Sequence, residues 1–162
     1  MLVLGYLSKR HEARAMKRFL VAVDGSEHSK KAVDTAIEMA KGRNAEIILI
    51  HVREEREVPE GVGQWMKMEG IRSSADYFEM VCRSDQFLGE AEERIKGAHG
   101  IKVEHICISG DPADEILNAA ESHDVDVIVM GSRGLGRFSR SFMGSVSTKV
   151  CNHANKTCIT VK

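Results

Sequence analysis

"DVIVMGSRGLGRFSRSFMGSVSTKV", residues 126–150, runs without interruption from a strand through a glycine loop into a helix. Its opening belongs to "VDVIVMG" (125–131), a short apolar, β-branched run that stops on a glycine, the pattern of a buried strand. Its end starts a short helix, predicted from about Gly144 to His153. Between Met130 and Val150 stand four glycines (Gly131, Gly134, Gly136, Gly144), five serines and three arginines, and no acid. Strand, loop and helix in this order form half of a βαβ unit, so the rest of the chain decides whether a parallel sheet can be completed.

Working outward, the same alternation repeats. "RFLVAVD" (18–24) reads as a buried strand, and "HSKKAVDTAIEMAKG" places Ala32, Val33, Ala36, Ile37 and Ala40 on one helix face, with Gly42 at its end. "AEIILIHV" (45–52) is a second strand, and "YFEMVCRSDQFLGEAEERIKGAHG" (77–100) is predicted helical. "IKVEHICISG" (101–110) is a third strand. In "DPADEILNAAESH", Asp111 can cap a helix that has Pro112 at its first position and Asp114 and Glu115 in its first turn. "TCITV" (157–161) is the last strand. Five strands alternating with helices predict an α/β fold: a five-stranded parallel sheet with helices on both faces, in flavodoxin-like layering. Ligands of such sheets bind beyond the carboxyl ends of the strands, where strand order reverses. With flavodoxin-like order that point lies between the first strand and one in the second half. Two loops are therefore implicated, "DGSEHS" after the first strand and the glycine loop after the fourth.

Composition narrows the function classes. A chain of 162 residues is expected to form one domain, and a net charge of −1 argues against nucleic acid or membrane as partner. Yet Val127–Lys162 contains no Asp or Glu, while Arg133, Arg137, Arg140, Lys149, Lys156 and Lys162 are all basic, which points to an anionic partner. Cys82, Cys107, Cys151 and Cys158 form no CxxC pair, so they are expected as reduced, mostly buried thiols of a cytoplasmic protein. The histidines show no ligand spacing, and a metal held by protein ligands alone is not expected. Residues 1–15 carry an apolar run too short for a signal peptide or membrane span and are expected as an N-terminal extension, possible disorder included, with a single domain over 16–162. Segment 53–76 has no clean period; Trp65, Met66 and Met68 suit either a lid, a partner patch or the plainer reading of a surface loop.

Two well-known phosphate motifs fail on the glycine loop. A P-loop requires Lys and a hydroxyl residue after Gly136, where Arg137 and Phe138 stand; the dinucleotide fingerprint requires glycine at Ser139, and on the first turn of the sheet. What remains is Gly131-x2-Gly134-x9-Gly144-Ser145. Gly131 and Gly134 allow close backbone approach. Gly144, Ser145 and Val146 would offer free N–H groups at a helix N-terminus, with hydroxyls from Ser145 and Ser147. Charge-assisted hydrogen bonds contribute about 1.5–3 kcal/mol each, so three or four could supply most of the roughly 8 kcal/mol that micromolar binding requires, before the ordering cost is subtracted.

With these pieces in hand, residues 16–162 resemble the universal stress protein family in its ATP-binding branch. The resemblance rests on "FLVAVDGSEHSKKAV", "IILIHV", "GDPADEI" and the 126–150 stretch, which fills every defined position of G-2x-G-9x-G-S/T. It implies an adenine nucleotide α-hydrolase-like fold and a site for ATP (or AMP or ADP), with Mg or Mn held mainly by the phosphates. By the same resemblance Asp24 meets the ribose, preceded by Ala22 and Val23, and the backbone of Val52 reads the adenine edge. Met130, Gly131, Arg133, Gly134, Gly144, Ser145, Val146 and Ser147 line ribose and phosphates. A homodimer through Thr157–Val161 is also implied, although Thr157 stands where the family often has proline. The expected role is a nucleotide-dependent regulatory or stress-response protein. The alternative is slow ATP hydrolysis, but the glycine loop has no Glu, Asp, Gln or His to orient water, and no catalytic residue is named.

Overall fold

The structure, a computed structural model, describes residues 17–53, 66, 68–70, 86–98, 100–135 and 143–162. Among them strands and helices alternate as β1 (Arg18–Ala22), α1 (Glu27–Ala40), β2 (Glu46–Arg53), α2 (Gln86–Lys96), β3 (Lys102–Ser109), α3 (Pro112–Ser122), β4 (Val127–Gly131), α4 (Ser145–His153) and β5 (Thr157–Val161). All neighbouring strands are parallel, in the order β3-β2-β1-β4-β5. The expected five-stranded parallel sheet is present. Its order differs from the flavodoxin order 2-1-3-4-5, because β4, not β3, lies beside β1. The reversal still falls between β1 and the second half of the chain, so the two implicated loops flank it.

Period-two alternation sorts the strand residues onto two cores. Phe19, Val21, Val23, Ile47, Leu49, Val127 and Val129 pack with α1 and α2. Leu20, Ile48, Ile50, Ile128 and Met130 pack with α3 and α4, with Ala22, Val52 and Val146 at the margin. Burying both faces explains why these strands read as continuous apolar runs and not as alternating ones.

The helix starts follow the local sequence. Ser26 caps α1, its hydroxyl accepting from Ser29 N at 3.1 Å. Asp111 caps α3, accepting from Ala113 N and Asp114 N at 3.1 and 3.0 Å, with Pro112 beginning the helix as expected. Gly144 heads α4 with no side-chain cap.

Several expectations meet a different outcome. Cys107, on β3, is disulfide-bonded, with its partner outside the described residues, whereas Cys151 and Cys158 are free and half-buried. The expectation of four reduced thiols is thereby corrected; spacing along the chain says nothing about which thiols the fold brings together. Burial and the neighbouring Cys151 push the Cys158 thiol up to about 11. Met66 is buried while Met68 is 83% exposed, so they do not share one surface patch. Trp65, Arg137, Arg140 and, within the predicted 77–100 helix, residues 77–85 and 99 lie outside the described residues. Among the described residues no helix is long and apolar enough to cross a membrane.

Candidate functional site

The first half of the site is the turn that leaves β1. Val23 N still donates to Ile50 O at 2.9 Å, after which the chain turns through Asp24, Gly25 and Ser26. Asp24 Oδ1 accepts from Ser26 N at 3.0 Å, an Asx-type turn, and Gly25 takes φ +80°, which glycine adopts without steric cost. The backbone N–H of Asp24 reaches Ser29 Oγ at 3.5 Å. One carboxylate oxygen is thus engaged by the turn. The other, Oδ2, points across the sheet end toward the glycine loop: a Cβ built on Gly134 would lie 2.5 Å from it.

The second half is the loop from β4 into α4. Ser132 anchors it in both directions, its N–H donating to Val161 O at 2.7 Å and its carbonyl accepting from Gly144 N at 2.8 Å. Ser147 is buried, and its hydroxyl donates to Ser132 O and Gly144 O at 3.1 and 3.0 Å. That hydroxyl ties the loop to the helix, so what Ser147 leaves for a ligand is its backbone N–H. Thr148 N already donates to Gly144 O at 2.9 Å, which leaves the N–H groups of Ser145, Val146 and Ser147 without intrahelical acceptors. No acid stands in the first turn to neutralise them. The Ser132 hydroxyl, on a residue 3% exposed, has no hydrogen-bond partner among the described residues.

The three glycines of the spacing motif have three different reasons to be glycine. A Cβ on Gly131 would lie 2.8 Å from His28 Cβ and 2.9 Å from Arg133 O, so this position lets the first turn of α1 sit on the end of β4. Gly134 leaves room for the Asp24 carboxylate. Gly144 has φ −65° and no atom nearer than 3.4 Å to its built Cβ, so neither backbone nor packing forbids a side chain there.

The fold therefore brings Ala22, Val23 and Asp24 beside Met130, Gly131, Arg133 and Gly134, with Gly144, Ser145, Val146 and Ser147 behind them. Ser26 Oγ donates to Arg133 O at 3.5 Å and links the two loops directly. Val52 is reached by a register argument. The β1–β2 ladder ends at Ala22 and Ile50, Ile50 O faces β1, and Arg53 O faces β3 by accepting from Gly110 N at 2.9 Å. Peptide groups alternate sides along a strand, so those of Val52 face the β1 side beyond its last partner. Met130 is buried and Ala22, Val52 and Val146 are half-buried on the α3–α4 face, whereas the Val23 side chain is buried on the other.

Sequence reasoning missed Ser26, Ser132 and His51, whose Nδ1 lies 2.7 Å from Val23 O. The spacing Asp24-x-Ser26 is a readable Asx-turn signal. The other two carry none, because their partners are remote in the chain. A cavity of about 100 Å³ opens behind the Asp24 turn between α1 and α2, lined by Val23, Ser29, Val33, Phe87, Ala91 and Arg94. Its rim charges are committed: Lys30 pairs with Glu27 at 2.9 Å and Arg94 with Asp34 at 2.7 Å. The glycine-loop side of the turn, with uncommitted N–H donors, is the better anion site. Among the described residues no group of His, Cys, Asp or Glu could hold a metal ion.

Comparison with known proteins places this geometry. The family model described as Universal stress protein family matches residues 16–162. Universal stress protein YxiE of Bacillus subtilis is 36% identical over 139 residues, covering 82% of this chain and 90% of that protein. The solved structure of hypothetical protein MJ0577, from Methanocaldococcus jannaschii, superposes with a TM-score of 0.74 at 27% identity, covering 91% of this chain and 96% of that one. The universal stress protein from Archaeoglobus fulgidus, solved in complex with dAMP, superposes with a TM-score of 0.59 at 25% identity, covering 91% and 99%. The strand order, the cleft between β1 and β4 and these matches together make the chain a member of the universal stress protein family.

Proposed function

We propose that this chain is an ATP-binding universal stress protein that holds its nucleotide across the ends of β1 and β4 and acts through the bound state, not through hydrolysis. The observation that carries the reading is the pairing of a half-engaged carboxylate, Asp24, with an uncapped helix start at Gly144 on the far side of one cleft. In this reading ribose hydroxyls donate to Asp24 Oδ2, and the adenine edge meets the backbone of Val52. The phosphates take the N–H groups of Ser145, Val146 and Ser147. The orphaned Ser132 hydroxyl at the foot of α4 is a polar group such a ligand's surroundings would satisfy, directly or through water. The dAMP complex of the Archaeoglobus fulgidus protein supports an adenine nucleotide in this family member as well. Mg or Mn would ride on the phosphates.

The same proposal takes residues 16–162 as the domain, 1–15 as an extension, and β5 as the homodimer strand. β5 lies at an edge of the sheet with its outer side open among the described strands. A cytoplasmic location belongs to the same proposal: the free thiols of Cys151 and Cys158 favour it, and the disulfide at Cys107 counts against it. The test is calorimetric titration with ATP and magnesium, together with mass spectrometry of ligand released from the purified protein. Micromolar binding of ATP with no sustained phosphate release is expected. No binding at millimolar ATP overturns the proposal, and steady phosphate release abolished in Asp24→Ala converts it to an enzyme.

A further inference from the structure

His51 stands next to Val52 on β2, so its side chain leaves the sheet on the opposite face, toward α2. There its Nδ1 lies 2.7 Å from the Val23 carbonyl oxygen. A carbonyl only accepts, so Nδ1 carries the hydrogen and donates. The imidazole also meets the Phe87 ring edge-on, with centroids 5.9 Å apart and planes at 60°. Phe87 in turn occupies the space beneath Gly25, where an added Cβ would lie 2.4 Å from the ring. The Val23 carbonyl belongs to the peptide whose N–H is that of Asp24. The imidazole therefore fixes the peptide plane from which the Asp24 side chain departs, and Phe87 closes off the space into which the following residue could sink.

We propose that His51, braced by Phe87, is a positioning residue for Asp24: it sets the direction in which the carboxylate meets a ribose. The inference rests on the nucleotide reading of the site. His51 is given no nucleotide contact in the proposed pose and acts through the Val23–Asp24 peptide.

The test measures dissociation constants for ATP and for 2′,3′-dideoxy-ATP, which lacks both hydroxyls that Asp24 could accept from, in wild type, His51→Leu and His51→Asn. Thermal melts establish the folded fraction of each. Leucine keeps apolar volume and removes the donor; asparagine can place an amide N–H near the Nδ1 position. His51→Leu is expected to weaken ATP by about tenfold and dideoxy-ATP by less than about twofold, while His51→Asn stays within about twofold of wild type for both. Equal weakening of the two ligands, no weakening, or an asparagine variant as poor as leucine overturns the positioning role. A wild type that binds neither ligand overturns the nucleotide reading and this inference with it. A wild type that binds ATP, with His51→Leu indistinguishable from it, overturns the inference alone.

Discussion

Two helices, α3 and α4, begin at the same end of the parallel sheet, and their N-termini are built in opposite ways. The α3 start is closed: Asp111 accepts from two first-turn N–H groups, Pro112 contributes no donor, and Asp114 and Glu115 add negative charge where the helix dipole favours it. Lys149 from α4 balances that charge, reaching Asp111 at 3.2 Å and Asp114 at 2.7 Å. The α4 start is open, with Gly144 supplying no side chain and no acid following. An uncapped helix start forgoes stabilisation that Asp, Asn or Ser at the same position would provide cheaply. The difference is that the first-turn donors of α4 lack the side-chain acceptor that closes the start of α3, which is what the proposed nucleotide site requires.

The most direct way to break this comparison is to close the open start. Gly144→Asp fits the backbone and space available and would direct a carboxylate at the N–H groups of Val146 and Ser147. ATP affinity is expected to fall by about 100-fold, from lost donors and added repulsion, while stability rises by a few tenths of a kcal/mol at most. Calorimetric titration and urea melts read the two effects separately, and retained affinity would remove α4 from the site. At the other end of the loop, Gly131→Val should act on the fold first. The side chain would press on His28, and overpacking of this kind costs about 1–3 kcal/mol, seen as a lower urea midpoint.

Gly134→Ala tests the cleft between these extremes. Its methyl would displace the Asp24 carboxylate, and a drop of about tenfold in ATP affinity with nearly unchanged melting is expected. Opening the closed start is the complementary change: Asp111→Ala should lower the melting temperature by a few degrees and leave ATP affinity alone, because the proposed pose assigns no nucleotide contact to Asp111 or to any residue of α3. The smallest effect is in acid. The Asp114 backbone N–H and the Lys149 ammonium hold the Asp111 carboxyl below the usual carboxylate range. A depressed folded-state value means its stabilisation is present above the unfolded-state value and lost as pH falls through the folded one. Acid melts of wild type should therefore lose, below about pH 4, a contribution that Asp111→Ala lacks throughout.

How much was legible differs between the parts of the site. The α3 cap was readable because Asp111, Pro112, Asp114 and Glu115 act within one turn of each other. The open start of α4 was readable for the same reason, as an absence of acids beside Gly144. The role of Ser147 was not: its hydroxyl looked available for phosphate until the fold placed Ser132 O 3.1 Å away. The glycines divide likewise. Their spacing is visible in the chain, but that Gly131 serves packing against His28 and that Gly134 leaves room for Asp24 depend on residues more than a hundred positions distant.

By itself, the chain determined the alternation of strands and helices, the α3 cap and the loop that bears the N–H donors, because propensity, capping and turn chemistry act over a few residues. Only the tertiary structure decided that β4 lies beside β1, that Asp24 faces Gly134, that His51 holds the peptide behind that carboxylate, and that Cys107 is oxidised. Those outcomes depend on packing two apolar faces of one sheet, a condition on the whole chain that no short stretch of it can express.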